Sequence, residues 1–260
     1  MRLPYAFSRL GFGVTGPHTT PLVAPAATNA LIKAAIAEGV TLFDTGPMYG
    51  AGEGERRLGA ALRGVRRDSV FVITKARTRL LGADDAGGAA EDRVRRSLAE
   101  SLTRLGLDRV DALLLHGPAA EDFTPSLMAT LASLKAGGQV GAVGVCGRGD
   151  ELDAALESDG VDLLMMPVTG QSGRLARAAA KGVPVVAIET MRARRAPLRL
   201  PTSAADFWYL ARAGRDALTG SAPMAGEGVA AALAMPAVAS VIVQTTRLAH
   251  LKANAAAARK

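Results

Sequence analysis

The sequence predicts an α/β fold of the (β/α)8 barrel class, and three observations carry that prediction. The chain is 260 residues long with 49% hydrophobic residues, which suits one large α/β domain or two small ones. Short apolar runs centred near residues 10, 42, 72, 113, 144, 164, 186 and 242 alternate with segments of helical spacing, as eight βα units of a barrel do. Three of the runs end on an ionisable residue: Asp44, Lys75 and His116. Parallel strands that each deliver one such group point their C-terminal ends at one place, where α/β folds build chemistry.

In chain order, Ser8 to Gly13 is a Gly-bounded first strand, followed by a Pro-rich loop through Pro25. Ala27 to Glu38 is helical: Leu31 and Ala35 share a face, and Gly39 is suited to close the helix. A buried strand to Asp44 follows, then turn residues Thr45, Gly46, Pro47 and Gly50 with Tyr49 among them, and a short helix over Glu53 to Leu62. Val70 to Thr74 is a strand ending on Lys75. Ala90 to Leu105 is a helix with the stripe Val94, Leu98, Leu102 and Leu105, stopped by Gly106. Val110 to Leu115 is a strand ending on His116. Thr124-Pro125 reads as an N-cap with Pro at the first helical position. Val143 to Cys146 is a strand and Glu151 to Glu157 a short helix. Val161 to Met166 is a strand, Arg174 to Lys181 a helix, and Val183 to Ile188 a strand with Pro184 near its start. Ala204 to Ala213 and Gly228 to Ala234 have helical character, Ser240 to Val243 is the last strand, and Leu248 to Arg259 the last helix. No Pro/Gly/Ser-rich linker divides the chain, so residues 1–260 are expected to form a single domain. A doubly wound open sheet is the alternative. It is disfavoured because no G-x-G-x-x-G follows the first strand.

Composition narrows the setting. Cys146 is the only cysteine, so no intrachain disulfide forms, which fits a reducing, cytoplasmic location. Met1 to Leu10 lacks the apolar core of a signal peptide, and the apolar runs are too short to cross a membrane. The net charge is +7, but the basic residues are spread along the chain except over Arg192 to Arg199. Nucleic-acid binding is therefore disfavoured.

On a barrel, Asp44, Lys75 and His116 end three successive strands on one rim, and Tyr49 can fold back over Asp44. Lys75 beside the phenol is expected to lower its pKa, with Asp44 anchoring Lys75 and His116 orienting a substrate oxygen. A tyrosine so placed is a general acid for a carbonyl becoming an alkoxide. The spacing suggests no metal site. Cys146 reads as a small apolar strand residue, and Phe207, Trp208 and Tyr209 as core packing or a pocket wall.

The segments Leu42-Phe43-Asp44-Thr45-Gly46-Pro47-Met48-Tyr49-Gly50, Ile73-Thr74-Lys75 and Leu113-Leu114-Leu115-His116 resemble the signature segments of the aldo-keto reductase superfamily. So do Leu10-Gly11-Phe12-Gly13, Glu55-Arg56-Arg57-Leu58-Gly59 and the segment from Ser240 to Arg247. The resemblance implies a (β/α)8 barrel that uses NADP(H) to reduce an aldehyde or ketone, a small-molecule carbonyl substrate. It carries the catalytic tetrad onto Asp44, Tyr49, Lys75 and His116. It places Cys146, Gly147, Met165, Glu189 and Thr190 at the nicotinamide. Gln244, Thr245, Thr246, Arg247, His250 and Asn254 fall at the adenosine end. Arg192 reads either as part of a pyrophosphate clamp after the seventh strand or as part of a solvated loop.

The sequence also departs from the family. Cys146-Gly147 stands where a Ser-Asn pair usually holds the nicotinamide carboxamide, Met165 where a Gln does, and Ile188-Glu189-Thr190 where an aromatic residue stacks. Lost hydrogen bonds of this kind are worth about 1 kcal/mol each. They leave open a second expectation: a barrel of this family with lost or altered redox function, either a binding or regulatory protein or a non-redox lyase or isomerase using Tyr49 and Lys75.

Overall fold

The structure is a computed structural model that describes residues 7–79, 88–190, 203–218 and 228–259. Among the described residues, eight strands form a closed parallel barrel in sequence order. They are β1 (Leu10–Gly13), β2 (Leu42–Asp44), β3 (Phe71–Ala76), β4 (Val110–His116), β5 (Val140–Cys146), β6 (Leu163–Pro167), β7 (Val185–Ile188) and β8 (Val238–Val243). The helices are α1 (Pro25–Ala37), α2 (Glu53–Leu62), α3 (Ala90–Leu105), α4 (Pro125–Ala136), α5 (Glu151–Glu157), α6 (Ser172–Lys181), α7 (Ala204–Leu218), α8 (Val229–Leu233) and α9 (Leu248–Ala258). The closed order excludes the open-sheet alternative, since β1 pairs with both β2 and β8.

Strand alternation divides the apolar residues into two cores. Leu42, Phe71, Ile73, Ala112, Leu114, Ala142, Cys146, Leu163, Met165, Val186 and Ile242 pack together inside the barrel. Their strand neighbours, such as Phe43, Val72, Leu113, Leu115, Val143, Val145, Leu164 and Met166, pack outward with the helices. Gly11 on β1 contributes no bulk inside: a Cβ there would lie 2.4 Å from Ile242 and 2.9 Å from Leu42. Each fully buried Leu, Ile or Phe contributes about 1.5–3 kcal/mol.

The helices follow their sequence signals. α3 buries Val94, Leu98, Leu102 and Leu105, and Gly106 caps it at φ 64°, a left-handed conformation that glycine adopts without strain. Thr124 caps α4, its side chain accepting from Leu127 N at 3.2 Å. α2 lies close against α3 because Gly59 has no side chain. A Cβ there would sit 2.2 Å from Leu105 O.

Several boundaries differ from the sequence expectation. β3 runs through Lys75 to Ala76, because an inward-facing lysine with a buried partner continues a strand as well as an apolar residue does. β5 begins at Val140, three residues early, and pairs with β4 along its whole length. β7 begins only after Pro184, which has no N–H to give the ladder. α7 extends to Leu218.

Candidate active site

The inward row of each strand determines what reaches the C-terminal mouth of the barrel. Asp44 follows Leu42, Lys75 follows Ile73, and His116 follows Leu114, each two residues beyond an inward-facing core residue. The parity that builds the inner core thus aims all three polar groups at one point. Tyr49 comes from the loop after β2. Its N–H donates to Gly46 O at 3.1 Å, closing a turn that brings the ring back over the mouth.

Lys75 is fully buried. Its ammonium donates to the Asp44 carboxylate and, at 2.8 Å, to Thr45 O. The Lys75 Nζ stands 4.8 Å from the centre of the Tyr49 ring. The Tyr49 and His116 rings meet edge to face with centroids 6.0 Å apart. The four residues therefore form one cluster.

Burial governs the electrostatics of this cluster. Burial opposes the charge on Lys75, but the charges around it, Asp44 foremost, outweigh that and hold the ammonium firmly protonated. Burial raises the Asp44 carboxyl while Lys75 pulls it down. Burial also pushes the Tyr49 phenol above its ordinary value. Lys75 acts in the expected direction, through its charge and a hydrogen bond, but does not overcome burial, so the expected net lowering of the phenol pKa is corrected here. His116 is pushed down to about 3 by burial and by the cations Lys75, Arg77 and Arg148, and is neutral at physiological pH. Burial pushes the Cys146 thiol up to about 11, so it is inert as a nucleophile.

The residues expected around a cofactor occupy the ends of β5 to β8 and the start of α9. Cys146 and Met165 face inward and are buried. Gly147 is engaged through its backbone, its N–H donating to Met165 O at 3.1 Å. Neither Cys146 nor Met165 presents a strong side-chain hydrogen-bonding group. Glu189 has φ 63°, and its carboxylate accepts from Arg148 Nη2 at 2.5 Å across the end of β6. Arg192 lies outside the described residues, as does the rest of the basic cluster through Arg199.

At the far end of the row, Thr245 Oγ1 accepts from Arg247 N at 3.1 Å, and Thr245 O accepts from His18 Nε2 at 2.9 Å. Arg247 pairs with both oxygens of Asp206 on α7, at 3.0 and 3.1 Å, and Tyr209 on the same helix hydrogen-bonds Thr246. His250 and Asn254 are one turn apart on α9, His250 exposed and Asn254 half-buried. Helix α7 thus packs near the β8–α9 segment instead of burying all its aromatics. Phe207 is 60% exposed, which corrects the core-packing expectation for it.

Buried polar atoms without a partner test whether these residues fit a polar ligand. Of six such side-chain atoms among the described residues, Arg77 Nε, His116 Nδ1, Thr190 Oγ1 and Gln244 Nε2 belong to residues at or just past the C-terminal ends of β3, β4, β7 and β8. Unsatisfied buried groups cost about 1–3 kcal/mol each unless a ligand or water meets them. Thr190 and Gln244, with the free backbone amides in the first turn of α9, fit the polar groups and phosphates of a dinucleotide. Among the described residues, no three His, Cys, Asp or Glu side chains gather as around a metal ion. No described helix is long and apolar enough to cross a membrane.

Four residues have roles here that the sequence did not assign to them. Glu55 is fully buried and ties α2 to β3 through Thr74 Oγ1 at 2.6 Å and to α3 through Arg104 Nε at 2.5 Å. His18 is fully buried and bridges Thr28 Oγ1, at 3.2 Å, to Thr245 O. Arg77 and Arg148 flank His116. The inward parity of residues two beyond Lys75 and Cys146 was the signal that could have found the two arginines.

Comparison with known proteins agrees with this arrangement. The chain is 35% identical over 161 residues to D-threo-aldose 1-dehydrogenase of a Pseudomonas species, covering 53% of this chain and 49% of that protein. It is 34% identical over 170 residues to morphine 6-dehydrogenase of Pseudomonas putida, covering 60% and 52%. The chain spans about half the length of these curated relatives. The crystal structure of PA4992 from Pseudomonas aeruginosa, described as a candidate aldo-keto reductase, superposes with a TM-score of 0.73 at 26% identity, covering 99% of this chain and 94% of that one. The sequence profile of the Aldo/keto reductase family matches residues 9–193, and the chain belongs to that family.

Proposed function

We propose that the chain, acting as one barrel domain, is an NADP(H)-dependent oxidoreductase that reduces an aldehyde or ketone, with Tyr49 as general acid. The observation that carries this reading is the Asp44–Lys75–Tyr49–His116 cluster at the mouth of the barrel, with its Asp44–Lys75 ion pair buried and Tyr49 and His116 half-buried beside it. The bound nicotinamide would supply the hydride. Thr190, Gln244, Thr245 and the first turn of α9 would hold the cofactor's polar and phosphate groups, with Thr246, Arg247, His250 and Asn254 at its adenosine end. Cys146, Gly147, Met165 and Glu189 would line its nicotinamide end.

Tyr49 carries its proton at physiological pH, as a phenol ordinarily does and burial reinforces, and it releases that proton to the carbonyl oxygen as negative charge develops there. Lys75 stabilises the phenolate that remains, and solvent reprotonates it. Asp44 fixes Lys75 in position, and Thr45 O accepts a second hydrogen bond from the ammonium. His116 is neutral, so it offers one N–H to the carbonyl oxygen without bringing a competing proton source. The dehydrogenase names of the relatives support the reading. Titrating NADPH while following energy transfer from Trp208, then supplying a broad aldehyde and ketone panel, tests it. Saturable binding followed by NADPH oxidation is expected, and absence of both would end the proposal.

A second reading is favoured by the sulfur-bearing side chains at the ends of β5 and β6 and by the Arg148–Glu189 pair lying across β6. In it the barrel keeps the tetrad but binds ligands, or moves protons through Tyr49 and Lys75, without hydride transfer. Tight NADPH binding with hydride transfer that disappears in Tyr49→Phe would exclude it.

A further inference from the structure

The geometry points to an oxyanion subsite beside the tetrad, in which Arg77 and Arg148 receive an anionic group carried by the carbonyl substrate. This rests on the carbonyl-reductase reading and names the substrate class within it: aldehydes or ketones bearing a carboxylate or a phosphate.

Arg77 lies two residues beyond Lys75 and continues the inward row of β3. The register of β3 on β4, with Ala76 opposite Leu115, sets Arg77 alongside His116. Arg77 Nε is buried with no hydrogen-bond partner, and among the described residues its guanidinium makes no hydrogen bond or ion pair. Its neighbour Arg79 differs: Arg79 Nε and Nη2 are taken up by Asp122, and Nη2 also by Glu121 at 2.9 Å. Of these two rim arginines, the one nearer the tetrad is the one left without a carboxylate.

Arg148 approaches from the other side. His116 is in register with Cys146, and Arg148 follows Cys146 by two residues. Its Nη2 meets Glu189, and the side chain stays 61% exposed, leaving its other nitrogens open to a ligand. The charges of Arg77 and Arg148 both reach the His116 ring, and together with burial and Lys75 they keep it neutral. A planar guanidinium fork matches the two oxygens of a carboxylate or phosphate, and such charge-assisted pairs are the strong ones. A neutral carbonyl compound would leave the buried Arg77 Nε unsatisfied, which disfavours its binding.

The test compares matched substrates and inert probes on the whole protein. For the wild type, kcat/KM should be higher for 4-carboxybenzaldehyde than for benzaldehyde. A parallel arm with glyceraldehyde 3-phosphate and glyceraldehyde shows whether phosphate is the preferred group. In Arg77→Met the charged-to-neutral ratio should fall tenfold or more, with Arg77→Lys intermediate and Arg148→Met also lowering it. Calorimetric titration with benzoate and with inorganic phosphate, which need no turnover, should show binding weakened at least tenfold in Arg77→Met. Circular dichroism verifies that each variant is folded. Aldehyde reduction with a ratio untouched by both arginine variants, and benzoate and phosphate binding equal in wild type and Arg77→Met, would overturn the subsite while leaving the reductase reading intact. Benzoate or phosphate binding that depends on Arg77, in a protein that reduces no carbonyl, would support the subsite and overturn the reductase reading instead.

Discussion

At the N-terminal end of the barrel, Asp111 accepts from Val72 N at 2.7 Å and pairs with Arg67 at 2.7 Å, while Asp162 accepts from Val143 N at 2.8 Å and pairs with Lys135 at 2.5 Å. At the C-terminal end, Arg77 Nε, His116 Nδ1, Thr190 Oγ1 and Gln244 Nε2 are buried with no partner. The N-terminal carboxylates are thus engaged by strand N–H groups and cations, with Arg67 Nε the one orphaned atom beside them, whereas four of the six orphaned atoms among the described residues gather at the C-terminal rim. The first pattern ties neighbouring strands together. The second is costly to stability and is what a ligand site requires, since preorganised donors must have nothing else to bind. Substitutions at the two ends should therefore separate: C-terminal ones act on turnover, N-terminal ones on stability.

Tyr49 itself apart, the largest expected effect is Lys75→Met, which removes the cation beside Tyr49 and should lower kcat by about 10²–10³, read by NADPH oxidation at saturating aldehyde. Asp44 loses its partner in the same variant and takes up a proton. Next is Asp111→Ala at the opposite end. Losing hydrogen bonds to a charged group should cost about 1.5–3 kcal/mol of unfolding free energy, measured by urea denaturation, with turnover per folded molecule retained. Smaller, per pH unit, is the pH effect of His116. Its pKa is about 3 in the folded chain against 6.5 as its ordinary value, so the unfolded chain takes up a proton that the folded one refuses. Stability contributed by the neutral imidazole is full above pH 6.5 and is lost as pH falls from 6.5 towards 3, by at most about 1.4 kcal/mol per pH unit. His116→Asn should flatten that slope in urea titrations at several pH values. Some slope should persist, because burial also lowers the pKa of His18. The smallest effect belongs to the exposed pair Arg109–Asp68 at 2.6 Å: Arg109→Ala should shift stability by less than about 1 kcal/mol. Equal stability losses at both ends would break the contrast.

Much of the catalytic rim was legible because it obeys short-range rules. Val94, Leu98, Leu102, Leu105 and Gly106 marked α3 at both ends, since an apolar stripe and a left-handed glycine are local signals. Asp44, Lys75 and His116 were visible as charges ending apolar runs, and strand parity carried them to one point. The length of β3 was not legible, because Lys75 looks like a strand stop until its buried partner 31 residues away is known. The sign of the Tyr49 shift was missed because sequence shows a cation nearby but not how deeply the ring is buried. Glu189 and Arg148 meet 41 residues apart across β6, helped by a backbone turn at φ 63° that no glycine announces. Asp111 sits inside an apolar run and gave no hint of the main-chain N–H it accepts from β3.

The central claim is that Tyr49 delivers the proton to a carbonyl at the C-terminal mouth. Its most direct test compares wild type and Tyr49→Phe with NADPH and a reducible aldehyde, following NADPH binding and oxidation in the same samples. The account predicts retained NADPH binding and a loss of turnover of about 10²–10⁴. Turnover unchanged in Tyr49→Phe, or a wild type that binds NADPH and oxidises none of it with any carbonyl compound, would contradict it.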